Sequence, residues 1–274
     1  MKNLSVKYPV WFCDVWGVVH NGVAPYEAAG RCLSRHREAG GTVILVTNSP
    51  RTSTGVAKQL TQIGVPAEAY DAIVTSGDVT QTLMHDHARG KVFHVGPGRD
   101  LSIFAGGGVE RVALEEANAV LCTGLVHDDV ETPDDYKEQL ARFKQMGLPM
   151  ICANPDKIVR NGNRLLYCAG ALAERYADIG GTVLMAGKPY APIYELALKT
   201  AARIRGAQVE KSQVLAIGDG PETDIRGAAD FGFDALLIAD GVLDASAGLD
   251  AVQAHVQKLV PHARIVKTLP YLAW

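Results

Sequence analysis

Short, unbroken apolar runs alternate with longer stretches of helical period along most of the chain. Runs at Val10–Val15, Thr42–Thr47, Ala72–Thr75, Lys91–Val95, Ala119–Thr123, Met150–Ala153, Thr182–Met185, Val214–Ile217 and Ala235–Ile238 predict strands. Their continuous apolarity, without in–out alternation, suits strands covered on both faces. Between them, apolar spacing predicts helices over Tyr26–Ala39, Thr54–Ile63, Val79–Asp86, Pro133–Met146, Ala169–Ile179, Pro192–Ile204 and Thr223–Phe231. Ser53, Asp78 and Thr132 stand where N-caps belong, and Gly40, Gly64, Gly147 and Gly180 where helices should stop. Strand and helix taking turns in this way predicts βαβ units, hence an α/β fold around a parallel, doubly wound sheet.

At 274 residues the chain is long for one core, and two domains are expected. Apolar residues make up 47% and charged residues 21%, an ordinary globular balance. A net charge of −3 with no basic stretch argues against a nucleic-acid partner. No apolar run approaches the roughly 18 residues that span a bilayer, so no membrane association is expected. The opening Met1–Lys7 lacks the apolar region of a secretory signal. Cys13, Cys32, Cys122, Cys152 and Cys168 are scattered and odd in number, which disfavours a disulfide framework or a zinc site. They read as small buried residues in a reducing cytoplasm.

The most loop-like stretch is Gly96–Gly108. Gly96-x-Gly98 after a strand resembles a piece of a dinucleotide fingerprint, but Leu101 stands where the third glycine belongs, and an irregular loop is expected. His127-Asp128-Asp129 reads as an exposed turn ahead of Thr132.

Four segments end predicted strands or precede helices with chemically useful groups: Asp14-Val-Trp-Gly, Val46-Thr47-Asn48-Ser49, Gly187-Lys188-Pro189 and Gly218-Asp219-Gly-Pro-Glu-Thr-Asp224. In open α/β sheets, ligands bind outside the carboxyl ends of the strands, so parallel neighbours would bring these loops to one crevice. The collected groups are a nucleophilic carboxylate, small hydrogen-bond donors, one lysine and two further carboxylates. Phosphoryl transfer uses these types. Mg²⁺ takes one or two carboxylates while keeping waters and substrate oxygens. Lysine and donor groups spread the charge that grows on phosphoryl oxygens. A carboxylate nucleophile divides hydrolysis into two easier steps.

In this order the four segments resemble the motifs of the haloacid dehalogenase superfamily, and most closely its subfamily IIA, the NagD-like and 4-nitrophenylphosphatase-like group. The resemblance covers nearly the whole chain, including the stretch between Ser49 and Lys188 where that subfamily inserts an α/β cap. Cys152-Ala-Asn154-Pro155-Asp156 is similar to a Thr-Asn-Pro-Asp stretch of such caps. It implies a doubly wound core from residues 1–80 plus 184–274, with 81–183 as the inserted cap. It also implies a phosphatase of a small phosphorylated metabolite with Mg²⁺ as cofactor, and leaves room for a homodimer. Asp14 would be nucleophile and metal ligand, the Trp16 carbonyl a second ligand, and Asp219 and Asp224 the remaining ones. Thr47, Asn48 and Lys188 would hold the phosphoryl group, and Asp156 would face substrate from the cap.

One position departs from that pattern. Phosphatases of the superfamily carry Asp-x-Asp in the first loop, the second Asp protonating the leaving oxygen, and here that place is Trp16. An indole N–H donates a hydrogen bond but does not surrender its proton near neutral pH. General acid–base catalysis is worth about 10²–10⁴ in rate, so turnover should be weakened, least for aryl and acyl phosphates. His20, six residues after Asp14, is the candidate substitute acid. Two alternatives follow from Trp16: a regulatory protein that binds phosphate and metal with little turnover, or a metal-free hydrolase like the dehalogenases, which carry an aromatic residue there. Asp219 and Asp224 speak against the metal-free form, because three clustered carboxylates repel without a cation.

Overall fold

The computed structural model describes residues 1–105, 108–161, 164–240, 246 and 248–274. Gly106 and Gly107 of the glycine-rich loop lie outside the described residues. Two compact units divide the chain: Met1–Thr47, Ala57–Val74 and Lys188–Trp274 form the first, Asn48–Val56 and Thr75–Gly187 the second.

The first unit is built on a six-stranded sheet. Its strands are β1 (Val10–Cys13), β2 (Thr42–Thr47), β3 (Ala72–Thr75), β11 (Val214–Gly218), β12 (Asp234–Ile238) and β13 (Arg264–Leu269). Their order is β13-β12-β11-β1-β2-β3, with β1 parallel to both β2 and β11. Every residue of β1, β2 and β11 is buried, as continuous apolar runs require. Helices α2 (Glu27–Glu38), α7 (Ala191–Arg205), α8 (Arg226–Phe231) and α9 (Leu249–Leu259) belong to this unit, behind a short N-terminal helix α1 (Lys2–Lys7).

The second unit carries a parallel sheet in the order β10-β7-β6-β4-β5, from β4 (Lys91–Val95), β5 (Glu110–Arg111), β6 (Ala119–Cys122), β7 (Met150–Cys152) and β10 (Val183–Met185). Alternate residues feed two cores. Val120, Cys122, Met150 and Cys152 pack with Phe143 of α5 (Lys137–Gln145) and with Leu172 and Tyr176 of α6 (Ala169–Asp178). Leu121 and Ile151 pack on the opposite face with Met84 of α4 (Ser76–His87) and with Ile103. Burial on both faces explains why β6 and β7 carry no alternating polar positions. An antiparallel hairpin, β8 (Ile158–Asn161) with β9 (Arg164–Tyr167), completes the unit.

Three details differ from the sequence expectations. The N-cap of α4 is Thr75, and Asp78 closes a reciprocal capping box from the third helical position. The helix expected from Thr223 opens with a single π-turn at Pro221–Ile225 before α8 begins. The helices α1 and α9, the strands β5 and β13 and the β8–β9 hairpin have no counterpart in the apolar pattern. All five cysteines are free and buried. No helix among the described residues is long and apolar enough to cross a membrane.

Inside the first unit, His36 lies fully buried and stacks on Trp11, with ring centroids 3.8 Å apart and planes 3° from parallel. Its Nδ1 shares a 2.7 Å hydrogen bond with Ser5 Oγ, and burial pushes the imidazole down to about 4. Between pH 6.5 and 4 the unfolded chain therefore takes up a proton that folded His36 refuses. This contribution is complete above pH 6.5 and is lost as pH falls through that window, on the order of 2–3 kcal/mol. Urea midpoints should consequently drop more steeply on acidification in wild type than in His36→Phe. Parallel pH curves for the two proteins would refute this.

Candidate active site

The strand order reverses at β1: the chain steps from β1 to β2 on one side and later returns to β11 on the other. Such switch points leave a crevice at the carboxyl ends of the strands. Asp14 follows β1 directly, and its N–H donates to the Ile217 carbonyl at 2.8 Å, extending the ladder by one residue. Thr47 is the last residue of β2, and Asp219 comes immediately after β11. The register pairs Cys13 with both Leu45 and Ile217, so the three strands end side by side.

Lys188, ahead of α7, ties this end of the sheet together. Its Nζ donates to Asp14 Oδ1 at 2.5 Å and to Asp224 Oδ1 at 2.7 Å. Asp224 sits in the π-turn, where its second oxygen accepts from the Gly220 N–H at 3.0 Å. Asp14, Asp219 and Asp224 each offer an oxygen within 4.8 Å of the others, and all three are buried. Glycines make room for this crowding. A Cβ on Gly17 would lie 2.2 Å from Asp219 Oδ2, and one on Gly218 would lie 2.2 Å from Asp224 Cγ. Gly17 also has φ +84°, a left-handed conformation that side chains disfavour, so the turn after Asp14 requires glycine twice over.

The electrostatics follow from three carboxylates facing one ammonium. Burial pushes the Asp14 carboxyl up to about 7 against the pull of Lys188, with Asp224 adding to the rise. Burial, then Asp14 and Asp224, drive Asp219 well above the carboxylate range. Burial opposes the charge on Lys188, yet Asp14 and Asp224 together outweigh it and hold the ammonium well above its usual range. The set is rich in hard oxygen donors and short of positive charge, which fits a divalent cation. Asp14, Asp219 and Asp224 are the groups that would hold it. Asp219→Asn should therefore raise the melting temperature without metal, by relieving repulsion, and should lose the further rise that millimolar Mg²⁺ gives wild type. A variant destabilised without metal and still responsive to Mg²⁺ would contradict the assignment.

Trp16 and His20 form part of the turn itself. Their rings pack edge to face at 5.2 Å and 72°, and the two residues also form a backbone bridge. His20 is 2% exposed, its Nδ1 accepts from the Gly22 N–H at 2.9 Å, and burial lowers it to about 4. Burial and the Gly22 N–H both favour the neutral His20 ring, which weighs against the expectation of His20 as substitute acid.

Asn48 and Asp156 are found together in the second unit, where Asn48 Nδ2 donates to Asp156 Oδ1 at 2.9 Å. A Cβ on Gly187 would meet Asn48 Oδ1 at 2.3 Å, which gives that glycine a packing role. Tyr194, unnoticed in the sequence, belongs to the buried stripe of α7 with Ile193, Ala197 and Ala201. Its hydroxyl has no hydrogen-bond partner among the described residues and packs where a Cβ on Gly227 would come within 2.1 Å. Burial first, and then Asp224, push this phenol up. The helical spacing of α7 marks the position as buried, but nothing in the sequence marks it as lying near the carboxylates.

A doubly wound core bearing a lysine-bridged carboxylate cluster at its switch point defines a class of hydrolases. Residues 11–110 match a family model described as haloacid dehalogenase-like hydrolase, and residues 185–266 match one described as HAD-hydrolase-like. A hydrolase of the haloacid dehalogenase-like family from Brucella suis is 47% identical, and its crystal structure covers 100% of this chain and 98% of its own with a TM-score of 0.89. The 5'-nucleotidase YutF of Bacillus subtilis is 27% identical over 86% of this chain and 88% of its own length. A glycerol phosphate phosphatase from Mycobacterium tuberculosis, solved in complex with magnesium, shares the fold at 24% identity and TM-score 0.73, over 98% of this chain and 76% of that one. The chain belongs to the haloacid dehalogenase-like hydrolase family and is an enzyme of that family.

Proposed function

We propose that the chain is a Mg²⁺-dependent phosphatase of a small phosphorylated metabolite, working in the cytoplasm through an aspartyl-phosphate on Asp14. The observation that carries this reading is the buried Asp14–Lys188–Asp224 bridge at the switch point, with Asp219 beside it. Asp14 Oδ2, on the carboxyl held by Lys188 through Oδ1, attacks phosphorus. Lys188 opposes the burial that favours protonated Asp14, and supplies positive charge where phosphoryl charge collects. Thr47, at the end of β2, offers its hydroxyl to the phosphoryl oxygens. Asp14, Asp219, Asp224 and the Trp16 carbonyl would hold the Mg²⁺, which when bound would screen the phosphoryl charge from the carboxylates. We read the second unit as the inserted cap domain, with Asn48 and Asp156 as the polar groups it offers for substrate selection. Relatives that are themselves a nucleotidase and a D-glycerol 3-phosphate phosphatase, each 27% identical, support a phosphoric monoester as substrate.

Hydrolysis of 4-nitrophenyl phosphate tests the metal. Turnover is expected with millimolar Mg²⁺ and should fall about 100-fold or more in excess chelator, in line with the several kcal/mol a catalytic cation supplies. Equal rates with and without chelator would remove Mg²⁺ from the reading.

A further inference from the structure

Beside the loop that follows Asp14, the first unit opens into a cavity of about 420 Å³. That volume falls within the ~300–1,000 Å³ typical of small-molecule sites. Gly17 and Val18 line one end, and the walls come from the lead-in to α2 and from the chain beyond β12 and β13. Backbone hydrogen bonds hold those walls in place. The Tyr26 N–H donates to the Val19 carbonyl at 2.8 Å, and the Asp240 N–H donates to the Pro270 carbonyl at 2.9 Å.

The lining is mostly apolar and aromatic, and its charge has one sign. Tyr26 and Tyr271 keep 37% and 56% of their surface exposed, while Val18, Ile238 and Leu272 are buried. Glu27 and Asp240 are the charged residues of the lining, and no lysine, arginine or histidine joins them among the described residues. Glu27 is already engaged: it answers the dipole at the start of α2 and pairs with Arg31 at 3.0 Å. Asp240 belongs to no ion pair among the described residues, so its carboxylate is the charge the cavity offers. Behind Gly17 stands Asp219, so close that a Cβ on the glycine would lie 2.2 Å from Oδ2. Burial first, and then Asp219 and Asp240, push the Tyr26 phenol up, so both carboxylates act on this wall.

We propose that this cavity binds a small organic ammonium ion, its cationic head at Asp240 and its hydrocarbon part against Tyr26 and Tyr271. It is a second site, separate from the carboxylate cluster, and it does not rest on the phosphatase reading. Aromatic rings and a carboxylate together attract an organic cation, because both present negative potential and the rings also cover its apolar part. Phosphorylated molecules are disfavoured here, since Asp240, Glu27 and the nearby Asp219 repel them. An inorganic divalent cation is disfavoured too. It needs several oxygens converging on one point, and the acidic group that converges among the described residues is Asp14, Asp219 and Asp224. A neutral apolar molecule would fill the volume but gain nothing from Asp240.

The test titrates the full, isotope-labelled chain with benzylammonium, benzyl alcohol and benzoate at neutral pH, followed by heteronuclear NMR. Benzylammonium should saturate with a millimolar dissociation constant, ordinary for a ligand of this size, and should shift the amides of Gly17, Val18 and Leu272. Benzyl alcohol, of the same shape without the charge, should bind about tenfold more weakly, and benzoate should not saturate. Asp240→Asn and Tyr271→Ala should each weaken benzylammonium about fivefold. Both side chains are exposed, so neither substitution threatens the fold. Asp14→Asn should leave the affinity unchanged, because the amine does not enter the carboxylate cluster. Equal binding of benzyl alcohol and benzylammonium would make the cavity an apolar space only and overturn the proposal. So would tighter binding of benzoate, full affinity in both Asp240→Asn and Tyr271→Ala, or loss of binding in Asp14→Asn. Failure of benzylammonium to saturate by about 50 mM overturns it as well. None of these outcomes bears on Asp14 as nucleophile, which phosphate hydrolysis tests separately.

Discussion

Asp14→Asn is expected to abolish hydrolysis of aryl phosphates in Mg²⁺, by at least about 10⁴-fold, as loss of a covalent nucleophile does in other hydrolases. The substitution keeps the shape of the side chain and removes only its charge, so folding offers no competing explanation. Lys188 retains its 2.7 Å bond to Asp224, and three buried carboxylates become two. The metal-free variant should therefore melt at or above the wild-type temperature while being inactive. Assay of 4-nitrophenyl phosphate hydrolysis together with a thermal melt reads both quantities on one preparation. Retention of more than about one part in a hundred of the activity would be incompatible with Asp14 as nucleophile.

Lys188→Met is expected to show the opposite balance, with activity and stability lost together. It removes the sole ammonium that the described ion pairs place among Asp14, Asp219 and Asp224. Stranding buried charges in this way costs about 3–5 kcal/mol. Without metal, the urea midpoint at neutral pH should drop accordingly. Millimolar Mg²⁺ should restore part of the loss, because a cation repels none of the carboxylates and pairs with all of them. The pH dependence has a definite sign. Asp14 holds its proton up to about pH 7 in the folded chain but releases it near 3.8 when unfolded. Acidification from 7 towards 4 therefore favours the folded site, and Lys188→Met should gain more from it than wild type does. A metal-free loss smaller than about 1 kcal/mol would show that the lysine is not compensating buried charge.

The central strands were legible because burial on both faces leaves a local trace. Thr42–Thr47, Ala119–Cys122 and Val214–Gly218, buried throughout, fall where continuous apolarity predicts strands. Elements at the edges leave no such trace. In β13, Arg264, Val266 and Lys267 are exposed, and the strand is held by its ladder to β12 more than by its side chains. In α9 only Val252 and Val256 are buried, too few to stand out as a helical stripe. The β8–β9 hairpin exposes Ile158, Leu165 and Tyr167, so its apolar residues carry no information about which face is covered. At the site, Asp14, Lys188, Asp219 and Asp224 were visible as motif residues. A histidine in a loop looks the same in sequence whether its ring nitrogen is free or accepting, as His20 Nδ1 does from the Gly22 N–H.

The amino-acid order alone determined the alternation of strand and helix, the parallel sheet that follows from it, and which four loops carry oxygen donors and a lysine. These are local properties, written in residue type and spacing. Only the tertiary structure decided that one lysine serves two carboxylates, that Gly17 and Gly218 are needed to let Asp219 and Asp224 approach, and that the rings of Trp16 and His20 pack edge to face. Those facts depend on distances between segments far apart in sequence, 174 positions for Asp14 and Lys188, and on burial that turns a shared charge into a strong one. No local pattern encodes either quantity.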